Sequence, residues 1–520
     1  MTNHTVILEQ NIPFSKSILW KDQKKYYHAK GIDAWNEDVP FYITSNPFIA
    51  KSYALMAIRF IQDWLQKNPD AIKNPFYIFE MGAGTGQFSF YFLKNFIEYK
   101  KILKLETVSV KYIMSDISAQ SFEFWEKHAS LKPYLDDNIL DFAIYDLYRS
   151  SEIKLHHSKE IISEKTSKNP LLIIANYLFD SIATDVFTVN DGKLYEAQVT
   201  LETDQNNMEA GVPKDWQSVK ISYHSAFIEN HYYHNEFDAL LFDYQKQLID
   251  THFQFPIASL MAIKQLQKIA NHQFLLLSSD KGYTALEEMD HCDYPELDFH
   301  GSFSVMVNFH AIAEFLKKHG GDCVVQSFRQ HIATGIFSSG FSLEHFSQLQ
   351  MAIQQMIRGF SPTDYFIIYE HFIAHYKECS LEVMASYLNL SHWDPYVFDH
   401  ISDYVCELAE EGDPDVVTFL AKNMHRIADN FYFLPSSEDT LFSIGVFFQN
   451  IGEFMNAIAY YEKSLRYFGD CDVVLFNLGI CSYSLDQRDK AIHYLQRAHT
   501  CNPEAIDAKE WIEVIRKEKA

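Results

Sequence analysis

The sequence predicts an α/β domain built on a mostly parallel sheet, followed by an all-helical region. Three observations carry this. The stretch Phe76-Tyr-Ile-Phe-Glu-Met-Gly-Ala-Gly-Thr-Gly-Gln-Phe88 runs from an apolar strand through three alternate glycines to a helix start. Apolar runs and helical patterns then alternate as far as about residue 338, the signature of βαβ units. From Phe341 onward the β pattern stops, and an offset of 34 residues links two helical segments near the end.

Bulk properties fit that plan. A chain of 520 residues is too long for one ordinary core, so two or three domains are expected. A formal net charge of −25 argues against non-specific binding to nucleic acid or to anionic lipid. No apolar run approaches the length of a membrane span, and Met1-Thr-Asn-His-Thr-Val lacks the basic and apolar regions of a secretory leader. All seven cysteines lie after residue 290 with no C-x-x-C pair, which suits reduced thiols and a cytoplasmic location.

The first forty residues show little pattern beyond the basic-aromatic Lys24-Lys-Tyr-Tyr-His28, read as a solvated surface turn. Phe41-Tyr-Ile-Thr-Ser-Asn-Pro47 is a polar turn, and Phe48 to Gln66 has helical spacing, so 1–75 is expected to be a helical extension on the sheet. Within 76–338 the strands are Phe76 to Glu80, Val108 to Met114, Ile139 to Tyr145, Leu171 to Ala175 and Phe274 to Leu277, with Cys323 to Phe328 and Ile332 to Phe337 as a closing hairpin. Helices fall at Ser118 to His128 and Asn308 to His319. Glu80, Asp116, Asp146, Asn176 and Asp280 stand at strand carboxyl ends, where parallel sheets bind ligands. Gly82, Gly84 and Gly86 let the backbone bend sharply and approach a ligand closely. Their spacing is neither G-x-G-x-x-G nor a phosphate loop.

An insertion of about 182–271 opens with a hairpin, Val186 to Thr200 turning at Asn190-Asp-Gly192, and is expected to continue as a helical cap over the cleft. His224, His231 and His234 lack the cysteine or acidic partners of a metal site, and Glu370 precedes His371 and His375, unlike the zinc-protease order. No metal site is expected. Residues 341–435 read as degenerate helical repeats, and 438–508 as two tetratricopeptide repeats: Gly445 and Ala457 recur as Gly479 and Ala491. Such arrays bind protein or peptide partners on a concave face.

The order of Phe41-Tyr-Ile-Thr-Ser45, Glu80-Met-Gly-Ala-Gly-Thr-Gly86, Ile174-Ala-Asn-Tyr-Leu-Phe-Asp180, Ser279-Asp-Lys-Gly282 and Gly301-Ser-Phe-Ser-Val-Met-Val-Asn-Phe309 resembles the MidA family over about residues 25 to 335. Those proteins are methyltransferase-like, and mitochondrial members methylate an arginine of a respiratory complex I subunit. The resemblance implies a Rossmann-like class I fold with a mostly parallel seven-stranded sheet, and S-adenosyl-L-methionine as cofactor. It places Gly82, Gly84 and Gly86 under the cofactor's amino-acid end, Glu80 at the turn and ammonium region, Asp116 on the ribose and Asp146 on the adenine. Asn176, Tyr177 and Asp180 fall nearest the accepting atom. Tyr177 stands where the family has a glutamate, and Ser302 and Asn308 where it has aspartates. Fewer carboxylates weaken the match to an arginine acceptor.

The functional expectation is therefore an S-adenosylmethionine-dependent methyltransferase acting on a protein recruited by the repeats. The alternative is an impaired, methyltransferase-like adaptor whose repeats bind a partner. Nucleic-acid methylation is disfavoured by the acidic charge and the lack of a basic stripe.

Overall fold

The computed structural model describes residues 5–34, 42–209, 211–300, 302–329, 332–504 and 506–519. Phe41 and Gly301, which belong to two of the resembling segments, and residues 1–4 lie outside the described residues. The chain forms two compact units, Met1–Phe366 and Ile367–Ala520.

In the first unit a strand β1 (Thr5–Ile12) leads to helix α1 (Ile18–Lys30), started by the Ser17 hydroxyl, which accepts the Leu19 N–H at 3.3 Å. Helix α2 (Pro47–Lys67) starts at Asn46, whose side chain accepts from Ile49 N, with Pro47 in the first turn where no N–H is needed. Then come β2 (Phe76–Met81), α3 (Gln87–Ile102), β3 (Val110–Asp116), α4 (Gln120–Lys127), β4 (Leu140–Ile144) and β5 (Leu171–Asn176). A second group of strands follows: β6 (Asp185–Asn190), β7 (Lys193–Asp204), β8 (Lys220–Phe227) and, after α5 (Glu236–Gln247), β9 (Thr251–Phe255). Helix α6 (Ile257–Ile269) leads straight into β10 (Phe274–Asp280), and α7 (Phe309–Lys318), β11 (Asp322–Val325), β12 (Ala333–Ser339) and α8 (Ser347–Met356) complete the unit.

The main sheet has seven strands in the order β11-β12-β10-β5-β2-β3-β4. It is mixed: β4, β3, β2, β5 and β10 run parallel, while β12 is antiparallel to both its neighbours. The parallel strands are buried on both faces, which is why they read as unbroken apolar runs. From β2 the chain steps outward through β3 and β4, then returns to the other side of β2 as β5. The switch point of the topology thus lies between β2 and β5, beyond whose carboxyl ends a ligand crevice opens.

Two expectations are corrected. The insertion is not a helical cap, because β1, β6, β7, β8 and β9 form one antiparallel sheet in the order β1-β7-β6-β9, with β8 also on β7. Nor is 1–75 purely a helical extension, since β1 is the edge of that sheet. The reason is physical. β1 and β8 are mostly half-buried or exposed and pair through backbone bonds, so their side chains carry little of the alternation that marks a strand. The added sheet ends at Phe255 rather than near 271.

The second unit is entirely helical among the described residues: α9 (Leu381–Leu390), α10 (Pro395–Glu410), α11 (Pro414–Asn430), α12 (Thr440–Asn450), α13 (Phe454–Phe468), α14 (Asp472–Ser484), α15 (Arg488–Cys501) and α16 (Ile506–Lys519). From α12 onward each helix packs on the next. A Cβ on Gly445 would come within 2.5 Å of the Tyr461 ring, and one on Gly479 within 2.6 Å of Leu495. The same close approach therefore recurs 34 residues later, and only glycine admits it.

Candidate functional site

Sheet register brings the strand-end residues to one edge. Met81 pairs with Ser115, so Gly82 follows beside Asp116; Glu80 pairs with Ile174, so Asn176 comes level with Gly82 on the other side. Asp116 pairs with Ile144, which sets Asp146 just beyond it. At this edge lies a cavity of about 140 Å³ that takes in Gly82, Gly84, Asp116, Asp146 and Tyr177. A second, of about 40 Å³, takes in Glu80, Gly82, Gly84, Asn176 and Tyr177. The two share Gly82, Gly84 and Tyr177, so they are lobes of one cleft.

The glycine turn is left-handed three times over, with φ of 71° at Gly82, 54° at Gly84 and 83° at Gly86, a conformation that costs any residue with a Cβ. Its backbone is held by Gly82 N and Ala83 N, both donating to Ser115 O, and by the Trp125 indole N–H, which donates to Gly84 O at 3.0 Å. Gly86 lines neither lobe; it is the residue from which α3 starts.

The three acids differ in environment. Glu80 is buried, and the Ser89 and Tyr112 hydroxyls both donate to its Oε2. Burial outweighs those bonds and pushes its carboxyl up to about 7. Burial also raises Asp116, although it accepts from Ile117 N at 2.6 Å and from Ser121 at 3.2 Å. At Asp146 burial works upward too, but the Lys24 ammonium at 2.8 Å and the Tyr148 N–H hold it below the usual carboxylate range.

Asn176 Oδ1 accepts from the Ser279 backbone N–H at 3.0 Å and from the Tyr53 hydroxyl at 3.0 Å. The backbone donor fixes which end of the amide is oxygen. Its Nδ2 is buried and without a protein partner, a donor left for whatever enters the smaller lobe it lines. Tyr177 has φ of 46°, rare for a side chain of this bulk, and stands between the lobes. Asp180 lines neither lobe. It is 1% exposed, accepts from the Ser181 hydroxyl and sits beside Asp280, whose Oδ2 takes the Phe179 and Asp180 N–H groups. Burial pushes Asp180 up to about 6 and Asp280 well above its ordinary value.

The departures from the family pattern are also placed. Asn308 caps α7, accepting from Ala311 N at 2.8 Å and donating to Gln254 O at 3.0 Å. Ser302 is buried. Gly282 is required by close approach, since a Cβ there would meet Val307 O at 2.4 Å. The reading of Lys24 to His28 as a solvated turn is corrected: α1 brings Trp20, Gln23, Lys24 and Tyr27 into the lining of the larger lobe. Aromatic, amide and basic residues at three- and four-residue spacing (Trp20, Gln23, Lys24, Tyr27) were the signal available for this.

Comparison with known proteins bears on the same stretch. Residues 55–285 match the model of a family described as "Putative S-adenosyl-L-methionine-dependent methyltransferase", whose cofactor is S-adenosylmethionine. That match ends before the helical unit. No curated protein matches the chain significantly. Among solved structures, a "likely methyl transferase" from Burkholderia thailandensis bound to S-adenosyl-homocysteine is similar at 15% identity and a TM-score of 0.38, over 61% of this chain and 74% of that one. An uncharacterized member of the same superfamily and organism gives 14% and 0.37 over the same shares. A 1,6-didemethyltoxoflavin-N1-methyltransferase from that organism gives 10% and 0.29, over 65% of this chain and 96% of that one.

Proposed function

We propose that this cleft binds S-adenosylmethionine and that the chain transfers its methyl group to a protein acceptor. The observation that carries the reading is the triple left-handed glycine turn at the switch point, with Asp116 beside it and an unpartnered buried donor on Asn176 opposite. These features fit the cofactor: a turn with no Cβ at Gly82 and Gly84 for its amino-acid end, a carboxylate for ribose hydroxyls, and an amide donor for its carboxylate or the acceptor. Bound there, the cofactor supplies an electrophilic methyl group on a sulfonium. The chain's own residues then align and shield. Asp116 accepts from the ribose and Asp146 from the adenine amino group. Glu80 supports the turn and balances positive charge in the small lobe. Asn176 and Tyr177 stand nearest the accepting atom, and Asp180 acts from behind by accepting from the Ser181 hydroxyl, within a turn whose Phe179 and Asp180 N–H groups Asp280 holds. Water exclusion by α1 and alignment are the main catalytic contributions expected for such a displacement.

The MidA-like reading belongs here as well, and so do the tetratricopeptide repeats of 438–508, supported by the recurring Gly445–Tyr461 and Gly479–Leu495 contacts. In this reading the repeats recruit the protein that is methylated, in the cytoplasm. A second reading, a cofactor-binding adaptor without transfer, is favoured by Tyr177, whose ring replaces a carboxylate between the lobes.

Titration calorimetry of the full chain with S-adenosylmethionine tests the first claim. Micromolar binding is expected, lost in Gly84→Val and weakened about tenfold or more in Asp116→Ala, which removes a charged acceptor. Wild type that binds neither the cofactor nor its demethylated product would end both readings. Binding without transfer to captured partner proteins would leave the adaptor.

A further inference from the structure

On the face of α4, away from the cleft, Glu126 meets two adjacent histidines. His157 Nε2 lies 3.4 Å and His156 Nε2 3.6 Å from the same oxygen, Glu126 Oε1. One ring nitrogen of each histidine and one Glu126 oxygen fall within 4.8 Å of one another. These separations are long for hydrogen bonds, which favour about 2.7–3.2 Å. They match two ligands on one tetrahedral ion, which stand about 3.3 Å apart when each bond is about 2.0–2.1 Å.

The histidines are also held in advance. His156 N donates to Phe142 O at 2.7 Å, and His157 N and Ser158 N donate to the Asp141 carboxylate at 2.8 and 2.9 Å. The His156 ring meets Phe122 edge-on at 5.1 Å and the His157 ring meets Phe142 at 5.2 Å. Backbone and ring orientation are thus set by neighbours rather than by the carboxylate. Each of the three side chains is 40–46% exposed, so an ion can enter and keep water in its remaining positions.

We propose that Glu126, His156 and His157 form a binding site for a divalent transition-metal ion of the zinc type. Two imidazoles and one carboxylate select such an ion over magnesium or calcium, which prefer all-oxygen shells. The ion clips α4 to the segment after β4. Glu126 adjoins Trp125, whose indole holds the Gly84 carbonyl, so the clip braces the helix behind the glycine turn.

The test is calorimetric titration of the chelator-treated full-length protein with zinc chloride alone. One equivalent should bind with a Kd of about 10 μM or tighter, raising the melting temperature by a few degrees. Cobalt(II) should give a visible band, and magnesium should give no heat. Glu126→Gln and the double variant His156→Ala/His157→Ala should each weaken zinc about tenfold or more, with unchanged circular dichroism. The exposed Glu126→Gln keeps the test open should the double variant misfold. Zinc binding of unchanged affinity in Glu126→Gln or in a folded double variant would overturn the site. So would a wild type that takes up no zinc at 100 μM, roughly tenfold above the expected Kd.

Discussion

At the scale of single residues, Glu80 carries the most testable chemistry. Its carboxyl is pushed up to about 7 because burial disfavours the charge more than Ser89 and Tyr112 restore it. A cationic ligand beside it favours the ionised form, so affinity for S-adenosylmethionine should rise as pH increases through about 7 and level off above. Glu80→Gln should flatten that profile, and calorimetry at several pH values reads both. Stability has the opposite slope. A carboxyl raised in the folded state binds its proton more tightly there than in the unfolded chain, so its contribution is full below about 4.5 and is lost as pH rises through about 7. For Glu80 this amounts to at most about 3–4 kcal/mol, from about 1.4 kcal/mol per unit. Free protein should therefore melt lower at pH 8 than at pH 6, and less so in Glu80→Gln. Tyr177 gives a second test. A glutamate there adds a third acid near buried Asp180 and Asp280, so Tyr177→Glu should cost about 1–3 kcal/mol in denaturant titration. It should also lower transfer if the acceptor is neutral. A rise in arginine methylation would instead support an arginine acceptor. None of this was legible from residue types alone: Asp180 looked catalytic by motif, yet is buried and lines neither lobe, and Asn308 caps a helix as an aspartate could but also donates its amide to Gln254 O, which an aspartate could not.

At the scale of elements, what the sequence displays depends on where hydrogen bonds and burial fall. Strands buried on both faces announce themselves as apolar runs, and all five parallel strands were legible for that reason. β1 and β8 were not, because backbone pairing holds them while their side chains stay half in water. α1 fails differently. Its helix is local, but its place over the cleft depends on contacts such as Lys24 to Asp146, 122 residues apart, and Gln23 to Phe303 O, 280 apart. Lys24 makes α1 testable. Its ammonium occupies the acid assigned to the adenine amino group, so it competes with the cofactor. A partly exposed pair of this kind is worth up to about 1 kcal/mol. Lys24→Ala should therefore tighten cofactor binding, by no more than about fivefold. Weaker binding in that variant would make Lys24 a direct cofactor contact instead.

At the scale of the whole molecule, the boundary between the two compact units falls within one helix, Pro362–His375. Its first turn belongs to the first unit, where Tyr365 stacks on Phe48 at 4.6 Å; its later part belongs to the second, where Phe372 stacks on Tyr387 at 4.0 Å. A cut through this helix would leave both halves with an open helix end. Overlapping fragments, 1–376 and 361–520, keep it in each. The second unit is made of sequence-adjacent helices packing on their neighbours, so its stability is local and fragment 361–520 should be soluble and strongly helical by circular dichroism. Gly445→Leu should unfold that fragment or lower its melting point sharply, because the Tyr461 ring fills the space a side chain needs. Fragment 1–376 holds the whole cleft and should bind S-adenosylmethionine as the full chain does, within about twofold. If the repeats recruit the acceptor, only the full chain should label it efficiently with methyl-tagged cofactor, and fragment 361–520 added separately should compete. Equal labelling by fragment 1–376 would place acceptor recognition in the first unit and leave the helices another role.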